Sequence, residues 1–150
     1  MGLSFEIMQE EDIPAIEEIL VEFTEYKPEQ IKAFISEKQN IALVAKLDKK
    51  VIGLIYGYSL TRMDGKLPQF FIYSVDIHPA YQNKGYGGQF VKYAVDWAKE
   101  NCFSESFVPT EKDNARACRV YEKAGMKHSE NDCDRIYVVE YKKEQNERYY

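Results

Sequence analysis

One segment narrows the possible folds more than any other. Val75-Asp76-Ile77-His78-Pro79-Ala80-Tyr81-Gln82-Asn83-Lys84-Gly85-Tyr86-Gly87-Gly88 is an apolar run that turns into a glycine-rich loop and then opens an amphipathic stretch. Residues 70–77 form the longest β-branched and aromatic run in the chain, which predicts a buried central strand ending at Pro79. Over residues 85–100, Val91, Ala94, Val95 and Ala98 share one helical face. A strand that feeds a helix start in this way leaves backbone N–H groups unpaired at the positive end of the helix, a place for phosphate oxygens. Gly85, Gly87 and Gly88 let the backbone approach an anion with no Cβ in the way, and Lys84 can add a charge-assisted contact. A plain glycine-rich helix start is the alternative.

Two other phosphate loops fit poorly. The ATP/GTP loop needs Gly-Lys-Ser or Gly-Lys-Thr, and neither occurs. The dinucleotide fingerprint needs a third glycine or alanine where Phe90 stands.

The rest of the chain predicts strands and helices around this segment. Residues 3–8 alternate enough for a first strand. Asp12 before Ile13 and Pro14 predicts a helix start with Asp12 as N-cap, and Ile13, Ile16, Ile19, Leu20 and Phe23 follow at helical spacing. Residues 28–38 fit a second helix. Residues 41–47 and 51–60, joined by Asp48-Lys49-Lys50, predict a hairpin, in which Gly53 and Gly57 permit a bulge or a close approach. A short strand over 106–110, a helix over 114–124 stopped by Gly125, and a last strand over 135–141 complete the order, with an extra strand near 126–130. Hairpins come first and β-α-β units follow. The expected class is therefore α/β (α+β), a mixed, mostly antiparallel central sheet of six to seven strands wrapped by about four helices. No repeat or linker divides the chain, so residues 1–150 read as a single domain with a polar C-terminal tail from about 142.

With 150 residues, 45% of them hydrophobic, the chain can bury a core without disulfides or a structural metal. Cys102, Cys118 and Cys133 form no C-x-x-C pair, and His78 and His128 are the only histidines, so no metal is expected. A net charge of −5 argues against a nucleic-acid partner and is compatible with a cationic substrate. No secretory leader, bilayer-spanning run or myristoylation pattern is visible, which predicts a cytoplasmic protein with no membrane partner.

The pattern Gln82-x-x-Gly85-x-Gly87, preceded by Val75-x-Ile77-x-Pro79, resembles motif A of the GNAT superfamily, the acetyl-CoA-dependent N-acetyltransferases. Downstream, Asn114-Ala115-x-Ala117-x-x-x-Tyr121-x-x-x-Gly125-Met126 is similar to a second segment of that family, with Met126 in place of the usual Phe. The resemblance implies a GNAT-like sheet and acetyl-CoA as co-substrate, with an amine of a small molecule or peptide as acceptor. It also implies that backbone N–H groups from Asn83 through Lys84, Gly85, Tyr86 and Gly87 to Gly88 hold the pyrophosphate, with Gln82 and Asn114 beside the cofactor. The strand edge at Val75 and Ile77 would pair with the pantetheine amides, which needs a sheet that parts between its fourth and fifth strands. Backbone N–H near Val75 would then polarise the thioester carbonyl.

In the family the tyrosine of the second motif, here Tyr121, protonates the departing thiolate. Asn114 and Tyr121 are nearly two turns apart and project from one helical face, although Tyr121 also fits as a packing residue. The attacking amine must first lose a proton, since an alkylammonium has a pKa near 10.4 and no lone pair. Asp76 ranks first as the base, by facing away from Val75 and Ile77; His78, Glu22, Glu25 and a water chain are the alternatives. Cys118 reads as a small packing residue, because direct transfer needs no acyl-enzyme.

Ile41-Ala42-Leu43-Val44-Ala45, Val51-Ile52-Gly53, Tyr58, Leu60, Arg62 and Ile72-Tyr73 are similar to the aminoglycoside 3-N-acetyltransferase branch. Ser74 stands where that branch carries an Asp, with Asp76 two residues on. A non-catalytic acyl-CoA-binding module is the competing reading, and the aromatic-rich last strand leaves room for a homodimer.

Overall fold

Residues 2–128 and 137–141 are described in a computed structural model. The apolar runs become one sheet in the order β1 (Leu3–Ile7), β2 (Asn40–Leu47), β3 (Lys50–Leu60), β4 (Gln69–Ile77) and β5 (Glu105–Phe107). The first four strands pair antiparallel, while β5 runs parallel to β4. Four helices accompany them: α1 (Ile13–Leu20), α2 (Pro28–Ser36), α3 (Tyr86–Glu100) and α4 (Ala115–Lys123).

Side chains alternate across the sheet, so the central strands β2 and β3 feed two cores. On one face Leu43, Ile52, Ile55, Phe70 and Ile72 pack against Phe90, Val91 and Ala94 of α3. On the other, Val44 and Leu54 pack against Ile16 and Ile19 of α1. Phe90 is fully buried and stacks on Phe5 with ring centroids 5.4 Å apart. Phe90→Ala is expected to cost about 3–5 kcal/mol, the range for emptying an aromatic site in a core, read as a fall in the denaturant midpoint.

Two expectations are corrected. Among the described residues the sheet has five strands, not six to seven. Residues 126–128 and 137–141 carry no ladder hydrogen bonds and Tyr137, Val138, Val139 and Tyr141 are exposed; residues 129–136 lie outside the described residues, as does the tail from 142. A strand exists only where a neighbour supplies its hydrogen bonds, and β5 is just three residues long. Asp12, in turn, stands at the N-cap position of α1, but its side chain makes no cap hydrogen bond to that helix. It lies buried in a short turn, where Oδ2 accepts the Gln9 N–H at 2.8 Å and Oδ1 meets Lys46 Nζ at 3.2 Å. An ion pair to the neighbouring strand therefore holds the carboxylate that local sequence assigned to the helix.

Two irregularities mark β4. Its pairing with β5 covers Gln69 to Phe71, so the edge beyond runs without a partner strand among the described residues. Opposite β3, Tyr56 pairs with Ser74 but Gly57 with Ile72, leaving Tyr73 as an extra, bulged residue. A Cβ on Gly57 would stand 1.9 Å from the Phe71 carbonyl oxygen, so only glycine permits this approach. The bulge shifts the alternation, and Ile72, Val75 and Ile77 all pack on the α3 side.

Candidate active site

Motif residues far apart in sequence meet in one cleft of about 550 Å³ between the freed edge of β4, the loop before α3, and α4. Val75, Ile77, Gln82, Asn83, Gly85, Tyr86, Gly87, Gly88, Asn114 and Tyr121 all line it. The loop reaches α3 through Asn83 and Gly85, both with left-handed φ (62° and 83°). Gly85 is the α3 N-cap, so the first N–H groups of a long helix open into the cleft with the positive end of its dipole.

Gln82 ties the loop to its surroundings. Its Nε2 donates to the Ile77 carbonyl at 2.8 Å, and its Oε1 accepts from Arg116 Nη2 of α4 at 2.8 Å. Asn114 is the α4 N-cap, Oδ1 accepting the Ala117 N–H at 3.1 Å, so part of its carboxamide is spent on the helix it starts. Lys84 and Asp76 do not line the cleft, nor do the alternative bases His78, Glu22 and Glu25. Lys84 Nζ lies over the Tyr81 ring instead, 5.8 Å from its centroid.

Asp76 occupies the opposite face of β4 from Val75 and Ile77 and accepts a hydrogen bond from Ser74 Oγ at Oδ2, 2.7 Å away. Burial raises its pKa, and the Ser74 hydroxyl partly offsets that. Its charge reaches two tyrosines. Tyr121 has its pKa raised by burial first and then by Asp76. Tyr56 is pushed up to about 12, by burial first and then by Tyr73, Tyr58 and Asp76. Among the other base candidates, His78 Nδ1 accepts the Ala80 N–H at 3.1 Å, Glu22 lies exposed after α1, and Glu25 lines a second cavity.

That second cavity, of about 530 Å³, lies between α1, α2 and the face of β2 and β3, with Tyr56 and Tyr58 in its wall. The connection between α1 and α2 touches both hollows: Phe23 lines the cleft, while Thr24 and Glu25 line the cavity. Asp76 lines neither, but its strand neighbours Val75 and Ile77 line the cleft and its cross-strand partner Leu54 lines the cavity.

The family model described as the acetyltransferase (GNAT) family matches residues 6–126, which include the whole cleft. The chain belongs to the GNAT acetyltransferase family. Solved structures agree on the fold of this GNAT domain. An aminoglycoside acetyltransferase from an uncultured soil metagenomic sample, in complex with sisomicin, superposes with TM-score 0.76 at 21% identity, covering 92% of this chain and 97% of its own. Ribosomal-protein-alanine N-acetyltransferase from Brucella melitensis biovar Abortus 2308 gives TM-score 0.78 at 14% identity, over 94% of this chain and 100% of its own. AAC(6')-Iy, in complex with the bisubstrate analogue CoA-S-monomethyl-acetylneamine, gives 0.73 at 14% identity, over 95% and 99%. No curated protein matches the chain in sequence.

Sequence reasoning missed the basic side of the GNAT cleft. Arg116, Arg119 and Lys123 line it from α4, at spacings of three and four that place them on one helical face. That spacing is visible in the sequence, but an acidic total conceals a short run of cations. Helical spacing also assigns Phe23 to the buried face of α1; the helix ends at Leu20, and Phe23 is 45% exposed at the cleft.

Proposed function

We propose that this domain transfers an acetyl group from acetyl-CoA to a primary amine of a small-molecule or peptide acceptor, by direct attack in a ternary complex. The observation that carries the reading is the cleft itself: a phosphate-type helix start, a strand edge with no partner strand among the described residues and Tyr121 in one wall, with Asp76 on the far side of the same strand. The cleft suits the cofactor. It offers N–H donors and three cations to a polyanion, and a strand edge to an extended amide chain. That one structural neighbour is described with a CoA-containing bisubstrate analogue supports the same assignment.

Bound acetyl-CoA supplies an activated acetyl thioester. Around it, the N–H groups of the loop and of Tyr86, Gly87 and Gly88 hold the pyrophosphate, and Arg116, Arg119 and Lys123 balance its charge. The freed β4 edge at Val75 and Ile77 orients the pantetheine arm, and an N–H there polarises the carbonyl. Asp76 accepts the proton shed by the incoming ammonium. The amine nitrogen then bonds to the acetyl carbon as the carbon–sulfur bond breaks and the Tyr121 hydroxyl gives a proton to the sulfur; the second proton that the nitrogen sheds as the amide forms returns through water to the Tyr121 phenolate.

The raised pKa of Asp76 sets the sign of the pH dependence. Only the carboxylate accepts a proton, so kcat/KM should rise with pH through a limb lying above the ordinary Asp value of about 3.9. Asp76→Asn is expected to remove that limb and lower turnover about 10²-fold, the lower end of what a positioned general base contributes. Because the folded pKa exceeds the unfolded one, Asp76 contributes its full stability below about pH 3.9 and loses it as pH rises through the folded value. The same substitution should therefore raise the thermal midpoint at pH 7 and leave it unchanged at pH 3. A pH-rate profile with an unaltered acid limb in the variant would exclude Asp76 as the base.

A further inference from the structure

Six aromatic rings form one continuous surface from α2 across the sheet to β5. Phe34 meets Tyr56 and Tyr58 edge-on at 5.3 and 5.7 Å, Tyr73 lies 5.5 Å from Tyr56 and 5.9 Å from Tyr58, and Phe71 links Tyr73 at 6.0 Å to a stacked Phe107 at 5.1 Å. This surface is the floor of the second cavity, through Tyr56 and Tyr58, and continues into the open. Tyr73, at its centre, is 59% exposed, a large ring held on a sheet face with space above it. The bulge in β4 puts it there, as the extra residue between Ile72 and Ser74.

Charge is sparse beside these rings. Among the described residues, the carboxylates lining the cavity are Glu25 and Glu37, and Lys27 lines it too. Asp76 does not itself line the cavity; it pairs across β3 and β4 with Leu54, which does, and accepts a hydrogen bond from Ser74, the partner of Tyr56. A molecule with several ammonium groups loses hydration at each on entering such a site and needs a carboxylate for each; this wall supplies few. A single ammonium on a flat body matches it better. Its cation meets Asp76 and the ring faces, and its apolar part stacks on tyrosine and phenylalanine. The volume of about 530 Å³ is in the range of small-molecule sites.

We propose that the acceptor is a monoamine carried on an aromatic body, an arylalkylamine in chemical class, seated on the Tyr56, Tyr58 and Tyr73 surface with its nitrogen toward Asp76. This assignment rests on the acetyltransferase reading and selects within it against polycationic acceptors. Tyr73 is the specificity-determining residue.

The test is calorimetric titration of the full chain, saturated with CoA, by 2-phenylethylamine and by the polycation sisomicin. Binding without turnover is read, so the result does not depend on catalysis. 2-Phenylethylamine should bind at least tenfold more tightly than sisomicin, Tyr73→Ala should weaken it at least fivefold, and Tyr73→Phe, which keeps the ring, should restore it. CoA affinity should be the same in all three proteins. Tighter binding of sisomicin, no binding of 2-phenylethylamine to a protein that holds CoA, or indifference to Tyr73→Ala overturns the proposal while leaving the acetyltransferase reading intact. Failure of the wild type to bind CoA overturns that reading as well.

Discussion

Replacing Tyr121 with Phe is expected to lower turnover about 10²-fold while CoA affinity stays within a factor of two, at the lower end of what a positioned general acid contributes. The change removes one hydroxyl and keeps the ring, which packs against the core on the α3 side of the sheet, so α4 keeps its place. Burial and the nearby Asp76 charge both raise the Tyr121 pKa, so the hydroxyl keeps its proton across the physiological range and, in the proposed reaction, is present to hydrogen-bond and protonate the sulfur as charge develops on it. Steady-state kinetics with acetyl-CoA as the varied substrate separate the effects, since a loss confined to kcat marks an interaction made in the transition state. Unchanged turnover in Tyr121→Phe would return Tyr121 to a packing role and leave protonation of the sulfur to another group or to water.

Gly87→Val is expected to weaken CoA binding about 10²-fold. A Cβ at this position would sit 3.7 Å from both γ-carbons of Val120 and 3.9 Å from Ile77 Cγ1, an ordinary contact already filled. The two further methyl groups of valine must therefore push α3 from α4 or project into the cleft, and either displaces the N–H groups proposed to hold the pyrophosphate. Losing one to two charge-assisted hydrogen bonds, at about 1.5–3 kcal/mol each, gives a change of that size. The fold should tolerate the substitution, because Gly87 is not among the glycines with positive φ and valine is only modestly disfavoured in a helix. Calorimetric titration with CoA, alongside a thermal midpoint shifted by a few degrees at most, checks both parts. Undiminished affinity would remove the helix start from the binding site.

The central strand, the glycine loop and the helix after it were legible because each rests on local chemistry: β-branched residues before, glycines at the turn, helical periodicity beyond. The pairing of Asn114 with Tyr121 was legible for the same reason, as both positions lie on one helix. Long-range choices were not. Whether Asp12 caps a helix or pairs with Lys46 depends on a strand more than thirty residues away, and residues 126–128 and 137–141 show strand-like letters without a strand. The face of Asp76 follows from the two-residue period, but the β4 bulge that sets which aromatic rings lie beside it depends on Gly57 of the neighbouring strand. Lys84 illustrates the converse. Its position in the motif suggests a phosphate contact, and a nearby ring gives its charge another place to rest. The cations that do line the cleft are on α4, in a segment whose sequence draws attention to other residues.

Amine-dependent cleavage of acetyl-CoA is the central claim, and its most direct test is free-thiol release by the purified protein across a panel of aromatic monoamines, polyamines, aminoglycosides, amino acids and peptide N-termini. The predicted result is thiol release that requires an amine, with one acetyl group appearing on the amine, by mass, for each thiol formed. Absence of release with every amine, together with no CoA binding by calorimetry, would contradict it.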